Sequence, residues 1–122
     1  MSRILVADDE PHILKLVSFT LSNHGYEVLT VTDGKAAVEA AERERPDLVL
    51  LDVMMPEMNG YEAARLIKEN PATKDIPVVM LSAKSQQYEI RQGLDCGAED
   101  YVCKPFTPRA LLEKVDEILR QR

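Results

Sequence analysis

The sequence predicts one α/β domain, a doubly wound (βα)5 unit with a parallel sheet and helices on both faces. Three observations predict it. Short apolar runs alternate five times with segments of helical periodicity, the order that builds a parallel sheet through right-handed crossovers. Three of these runs, Ile4–Ala7, Leu48–Leu51 and Val78–Leu81, are apolar without interruption, as strands covered on both faces are. The chain has 122 residues, 45% hydrophobic and 30% charged, enough to bury a core with no disulfide or structural metal. No repeat or linker divides it, so residues 1–122 are expected to form a single domain.

Each element has its own signals. After the first strand, Ile4–Ala7, Pro11 suits a first helical turn, Ile13, Leu14, Val17 and Leu21 follow at helical spacing, and Gly25 ends the helix. Val28–Val31 reads as the second strand, and Ala36, Ala37, Val38, Ala40 and Ala41 as a second helix stopped before Pro46. The third strand, Leu48–Leu51, precedes a helix from Tyr61 to Asn70, with Ala64 and Ile67 placed to pack inward. After Val78–Leu81 comes a weaker helical pattern from Gln86 to Leu94, and then the strand Tyr101–Cys103. Thr107-Pro108 combines a cap with a first-turn proline, and Leu111, Leu112, Val115, Ile118 and Leu119 form an apolar stripe on a helix running to Arg122.

Composition excludes several function classes. A net charge of −6 argues against non-specific nucleic-acid binding. The apolar run near the N-terminus, Ile4 to Ala7, is too short for a signal peptide or a membrane span, so the chain is expected in the cytoplasm. Cys96 and Cys103 have no second pair and no histidine near them, and read as small buried thiols of a reducing compartment rather than a disulfide or metal site. No Gly-x-Gly-x-x-Gly or Gly-x-x-x-x-Gly-Lys motif follows the first strand, which removes a nucleotide-binding module.

Sheets of this kind bind ligands outside the carboxyl ends of their strands. There the sequence carries Asp8, Asp9 and Glu10 after the first strand, Asp52 after the third, Ser82 after the fourth, and Lys104-Pro105 after the fifth. Singly, each has a plain role open to it. The first three acids could complement a helix N-terminus, Asp52 could be a turn residue, Ser82 a cap and Lys104 a surface lysine. Together, Asp8, Asp9, Asp52, Ser82 and Lys104 would converge on one rim. Clustered carboxylates repel and require a counter-charge. A hard divalent cation with oxygen ligands, Mg²⁺, suits a partial protein shell completed by water and phosphate. A neighbouring ammonium binds phosphate as a point charge, and an aspartate beside both is equipped for phosphoryl transfer.

At these residues the chain resembles the response-regulator receiver family over essentially its whole length. The matching segments are Ala7-Asp8-Asp9-Glu10-Pro11, Leu51-Asp52-Val53-Met54-Met55-Pro56 with Asn59-Gly60, Leu81-Ser82-Ala83, and Asp100-Tyr101-Val102-Cys103-Lys104-Pro105-Phe106. The resemblance implies a flavodoxin-like sheet of order 2-1-3-4-5. It also implies that Asp52 is the phosphoacceptor, and that Asp9 (directly), Asp8 (largely through water), Asp52 and the Met54 carbonyl hold Mg²⁺. Lys104, Ser82 and Ala83 would contact the phosphoryl group, and Ser82 and Tyr101 would form a switch. Pro56 and Gly60 would shape the loop behind Asp52, and Pro105 would follow a cis peptide bond. Met54 and Lys84 would flank the path of water to the acyl phosphate.

The implied partners are a histidine kinase or phosphotransfer protein as donor, and a downstream output protein or domain. The latter, or on phosphorylation a second copy of the chain, would meet the face of the fourth helix, fifth strand and fifth helix around Gln87, Arg91 and Lys114. The last helix resembles that of receivers fused to winged-helix DNA-binding domains in Pro108-Arg109 and Leu111-Leu112. It departs from them at Asp116, where they place a basic residue of a dimer contact. Of the competing classes, an aspartyl-phosphate phosphohydrolase of the haloacid-dehalogenase type would need an acid at position 54, where the chain has Met54. A receiver that has lost phosphorylation would not be expected to keep all five site residues.

Overall fold

A computed structural model of the chain describes residues 2–82, 97–104 and 106–121. Its elements run β1 (Arg3–Ala7), α1 (Pro11–Asn23), β2 (Glu27–Val31), α2 (Gly34–Glu44), β3 (Leu48–Asp52), α3 (Gly60–Glu69), β4 (Val78–Ser82), β5 (Asp100–Cys103) and a C-terminal helix (Pro108–Arg120). The five strands form one parallel sheet in the order β2-β1-β3-β4-β5, the doubly wound arrangement and order expected. The Gln86–Leu94 helix pattern lies outside the described residues, as do Ala83, Lys84, Gln87, Arg91, Cys96 and the Pro105 peptide bond.

Every expected strand is present and one residue longer than its apolar run. Arg3 and Glu27 pair at the start of β1 and β2, where their side chains form an ion pair at 2.7 Å. Asp52 pairs with Leu81, Ser82 with Cys103, and Val79 with Asp100. Pairing is a backbone property, so the ladder continues past the last apolar side chain.

The helices begin where their caps stand. The side chains of Asp33, Asn59 and Thr107 accept hydrogen bonds from the amides of Ala36, Glu62 and Ala110, at the starts of α2, α3 and the C-terminal helix. Thus α2 starts at Gly34, two residues before the alanine run, and α3 at Gly60, one residue before Tyr61. Gly25, with φ +96°, ends the turn after α1. The C-terminal helix ends at Arg120, short of the expected Arg122.

Although three strands read as unbroken apolar runs, their side chains alternate between two cores, as a pleat requires. Leu5, Ala7, Val49, Leu51, Val78 and Met80 face α2 and α3, packing with Ala37, Ala40, Ala41, Ala63, Ala64 and Ile67. Ile4, Val6, Leu48, Leu50, Val79, Leu81 and Val102 face α1 and the C-terminal helix, packing with Val17, Leu21, Leu111, Val115 and Ile118. No described helix is long and apolar enough to cross a membrane.

Candidate functional site

The same alternation positions the chemistry. Ile4 and Val6 lie on the α1 side of the sheet, as do Leu48 and Leu50, and Val102. Two residues further along each chain stand Asp8, Asp52 and Lys104. All three therefore reach the carboxyl edge of the sheet with the same facing. Because β1 pairs with β3 and Ala7 lies opposite Leu51, Asp8 and Asp52 are lateral neighbours. β5 is two strands from β3, so Lys104 must span the end of β4 to reach them, which a long unbranched side chain can do.

It does reach them. The Lys104 ammonium donates hydrogen bonds to Asp8 Oδ2 at 2.9 Å and to Asp52 Oδ1 at 3.0 Å. Asp8 is fully buried and Asp52 is 6% exposed, while Asp9 is open to solvent. One carboxylate oxygen from each of Asp8, Asp9 and Asp52 lies within 4.8 Å of the others. The other oxygen of Asp8 accepts from the Glu10 amide at 2.9 Å. Asp8 thus folds back on its own turn and faces the site. The N-cap of α1 is Glu10, whose side chain makes no cap bond.

Among the described residues the charges are unequal, with one ammonium beside three carboxylates. Burial pushes the Asp52 carboxyl up to about 6; the Lys104 hydrogen bond opposes this, while the charges of Asp8 and Asp9 add to it. For Lys104, burial disfavours the ammonium, but its bonds to Asp8 and Asp52 outweigh that and hold it above its ordinary value. Both groups respond to the same imbalance.

The donor set of the trio is all oxygen and anionic, and among the described residues it outnumbers the positive charge. That fits a hard divalent cation such as Mg²⁺ and does not fit a soft one.

Behind Asp52, a loop from Val53 to Asn59 returns the chain to α3. The Gly60 amide donates to the Val53 carbonyl at 2.9 Å. A β-carbon on Gly60 would lie 2.2 Å from the Asp52 carbonyl oxygen, so only glycine lets α3 begin this close to the acid. Along the loop Met54 is 74% exposed, and Pro56 is also exposed. Tyr101 is half-buried at the edge of the core beneath α2 and α3, opposite Met80 in the β4–β5 ladder. Ser82 ends β4 beside Cys103, whose free thiol is partly exposed at the sheet edge rather than buried as expected.

Sequence reasoning missed three features. Glu57, in this loop, has φ +68°. Gly34 touches the same loop from α2. Asp116 accepts a hydrogen bond from the Tyr26 hydroxyl and lies 3.2 Å from His24 Nε2, so it ties the C-terminal helix to the end of α1. Gly34 could have been suspected from Asp33-Gly34 alone, as a helix start; the other two leave no local signal.

The arrangement can be set beside known proteins. The alkaline phosphatase synthesis transcriptional regulatory protein PhoP of Bacillus subtilis is 41% identical over 119 residues, covering 98% of this chain and 49% of PhoP. The chain therefore spans about half the length of the curated relatives it matches. Chemotaxis response regulator CheY4 of Vibrio cholerae superposes with a TM-score of 0.92 at 34% identity, over 97% of this chain and 98% of that one. The receiver domain of a Pseudomonas aeruginosa sensor histidine kinase, solved with a magnesium ion coordinated in its active site cleft, superposes with a TM-score of 0.87 at 33% identity, over 98% and 95% of the two chains. The model of the response regulator receiver domain matches residues 4–116, a span that includes every element of the rim, and the chain belongs to that family.

Proposed function

We propose that the domain is the phosphoryl-accepting switch of a two-component or phosphorelay system, with Asp52 as the acceptor. The observation that carries this reading is the single ammonium of Lys104 shared between buried Asp8 and Asp52, at 2.9 and 3.0 Å. An Asp52 oxygen bonds to phosphorus as the donor's N–P bond breaks, and the electron pair leaves on the imidazole nitrogen of a phosphohistidine. That donor is a histidine kinase or a phosphotransfer protein. Lys104 orients the carboxylate and offers its ammonium to the incoming phosphoryl oxygens. Asp8, Asp9, Asp52 and the Met54 carbonyl would hold Mg²⁺, which when bound supplies further positive charge against the phosphoryl oxygens.

Phosphorylation adds a strong multivalent acceptor at the rim. Ser82 and Ala83 turn toward that acceptor, and Tyr101 fills the space Ser82 vacates, beneath the helix that the sequence predicts from Gln86 to Leu94. This shifts the population of the face made with β5 and the C-terminal helix. That face meets an output domain, a separate output protein or a second copy of the chain. PhoP is named a transcriptional regulator, so an output on DNA is the natural reading for a longer protein, with this acidic domain making no nucleic-acid contact itself. The domain works in the cytoplasm and turns over no free substrate.

Intact-mass measurement after incubation with a small phosphodonor and Mg²⁺ is expected to show one added phosphoryl group, lost in Asp52→Asn. A full phosphoryl signal in that variant would move the acceptor elsewhere. With beryllofluoride, NMR signals around Tyr101 are expected to shift, and Ser82→Ala to uncouple them. A complete response in Ser82→Ala would remove the switch.

A further inference from the structure

We propose that Gly34, the first residue of α2, is a positioning residue for the rim, seating from outside the loop that carries Met54. This rests on the reading of the rim as a Mg²⁺ and phosphoryl site.

Gly34 is buried at the start of a regular helix, so its backbone makes no demand for glycine. The demand is space. A β-carbon there would lie 1.9 Å from the Met58 carbonyl oxygen and 2.7 Å from its carbon. Those atoms are backbone, which cannot turn aside as a side chain could. Either the loop or the helix would have to move by an ångström or more.

The loop has little freedom to absorb such a move. Its inner end is fixed by the Gly60 amide on the Val53 carbonyl, with Gly60 against the backbone of Asp52. Its start is held by the Val53 amide on the Leu81 carbonyl at 3.1 Å. At its tip the Met58 amide donates back to the Pro56 carbonyl at 2.7 Å, around Glu57 at φ +68°. A γ-turn with a positive φ at a non-glycine centre is strained, and persists only where its surroundings over-determine it. The surroundings are α3 on one side and α2 on the other. α2 is itself held firmly, by the Asp33 cap at 2.7 Å and by buried Ala37, Ala40 and Ala41. Val53–Asn59 is therefore clamped between two glycine contacts, Gly60 on the side of Asp52 and Gly34 on the side of α2. The position of Met54 relative to Asp52 follows from both, although Gly34 touches no ligand.

Mg²⁺ titrations followed by ¹⁵N amide resonances test this on wild type, Gly34→Ala and Glu39→Gly, the last at an exposed position of α2. The last variant weakens the same helix away from the loop. Gly34→Ala is expected to bind Mg²⁺ about tenfold more weakly, the size of effect seen when support behind a metal ligand is lost. Its amides at residues 53–59 should already be displaced before metal is added, while Glu39→Gly keeps wild-type affinity. In wild type the Gly34 amide should respond to Mg²⁺ together with Met58. Wild-type affinity in Gly34→Ala, a Gly34 amide silent while Met58 responds, or an equal loss in Glu39→Gly overturns the proposal. Should Gly34→Ala not fold, Gly34→Ala/Glu57→Gly frees the turn and is expected to fold yet bind Mg²⁺ weakly; wild-type affinity there also overturns it. A wild-type chain that binds no Mg²⁺ overturns the site reading itself, and this inference with it.

Discussion

On the side of α2 and α3 the sheet is covered largely by alanine, with Ala37, Ala40, Ala41, Ala63 and Ala64 all buried, whereas α1 and the C-terminal helix cover the other side with Val17, Leu21, Leu111, Val115 and Ile118. Small side chains let backbones approach, and on this side two glycines bring helix N-termini against the backbones of Asp52 and Met58. Large side chains hold the opposite helices off the sheet and fill the gap with volume. One face thus fixes backbone position and the other supplies bulk burial. The rim draws on both. Asp8 and Lys104 precede α1 and the C-terminal helix, while Asp52 precedes the loop to α3. The Lys104 bonds to Asp8 and Asp52 join the two.

The comparison is broken most directly by changing volume on each face. Leu111→Ala is expected to lose about 3 kcal/mol in urea denaturation, because a fully buried leucine leaves a cavity. Ala63→Leu should cost about 2 kcal/mol by overpacking. Only Ala63→Leu, whose amide bonds the Asn59 carbonyl, should also weaken Mg²⁺ binding. If both variants weaken it equally, the division of labour between the faces is wrong.

The junction should show an effect as large as the first of these. Lys104→Met leaves Asp8 fully buried without its ammonium, and should cost about 3 kcal/mol at neutral pH, the scale for removing one partner of a buried pair. Millimolar Mg²⁺ should restore part of that loss. A loss that Mg²⁺ does not touch would show that the acids do not share a counter-ion.

Asp52→Asn should act in the opposite direction, stabilising the metal-free domain at pH 7 by about 1–2 kcal/mol. The Asp52 carboxyl sits at about 6 in the fold against an ordinary 3.8. Between those values the folded chain retains a proton that the unfolded chain has released. This group's contribution therefore falls as pH rises through that window and stays lost above it. Wild-type stability should decline relative to Asp52→Asn from about pH 4 to 6. Parallel pH profiles would show that burial does not strain the acid.

The smallest change tests the alanine-rich face at its edge. Arg45 closes α2 in the left-handed region, with φ +46°. Arg45→Gly should gain about 0.5–1 kcal/mol, since glycine adopts that conformation without a Cβ clash. A loss would mean that the arginine side chain contributes more than its backbone costs.

Much of this molecule was legible because its signals are local. Pro11, Gly25 and Thr107-Pro108 mark helix ends through the geometry of one or two residues. The apolar runs determine strands by side-chain spacing, and the βα order then implies a parallel sheet whose strand ends carry Asp8, Asp52 and Lys104 to one edge. Arg3, Glu27, Asp52, Ser82 and Asp100 were not read as strand residues, because the ladder that includes them is made by the partner's backbone and not by their own side chains. Tertiary structure alone decided that Asp116 would meet Tyr26 and His24, about ninety positions away. It alone decided that Gly34 would meet the carbonyl of Met58. Local propensity acts through a residue's own backbone and near neighbours, whereas the fit of two distant segments is a steric fact that exists only once the chain is folded.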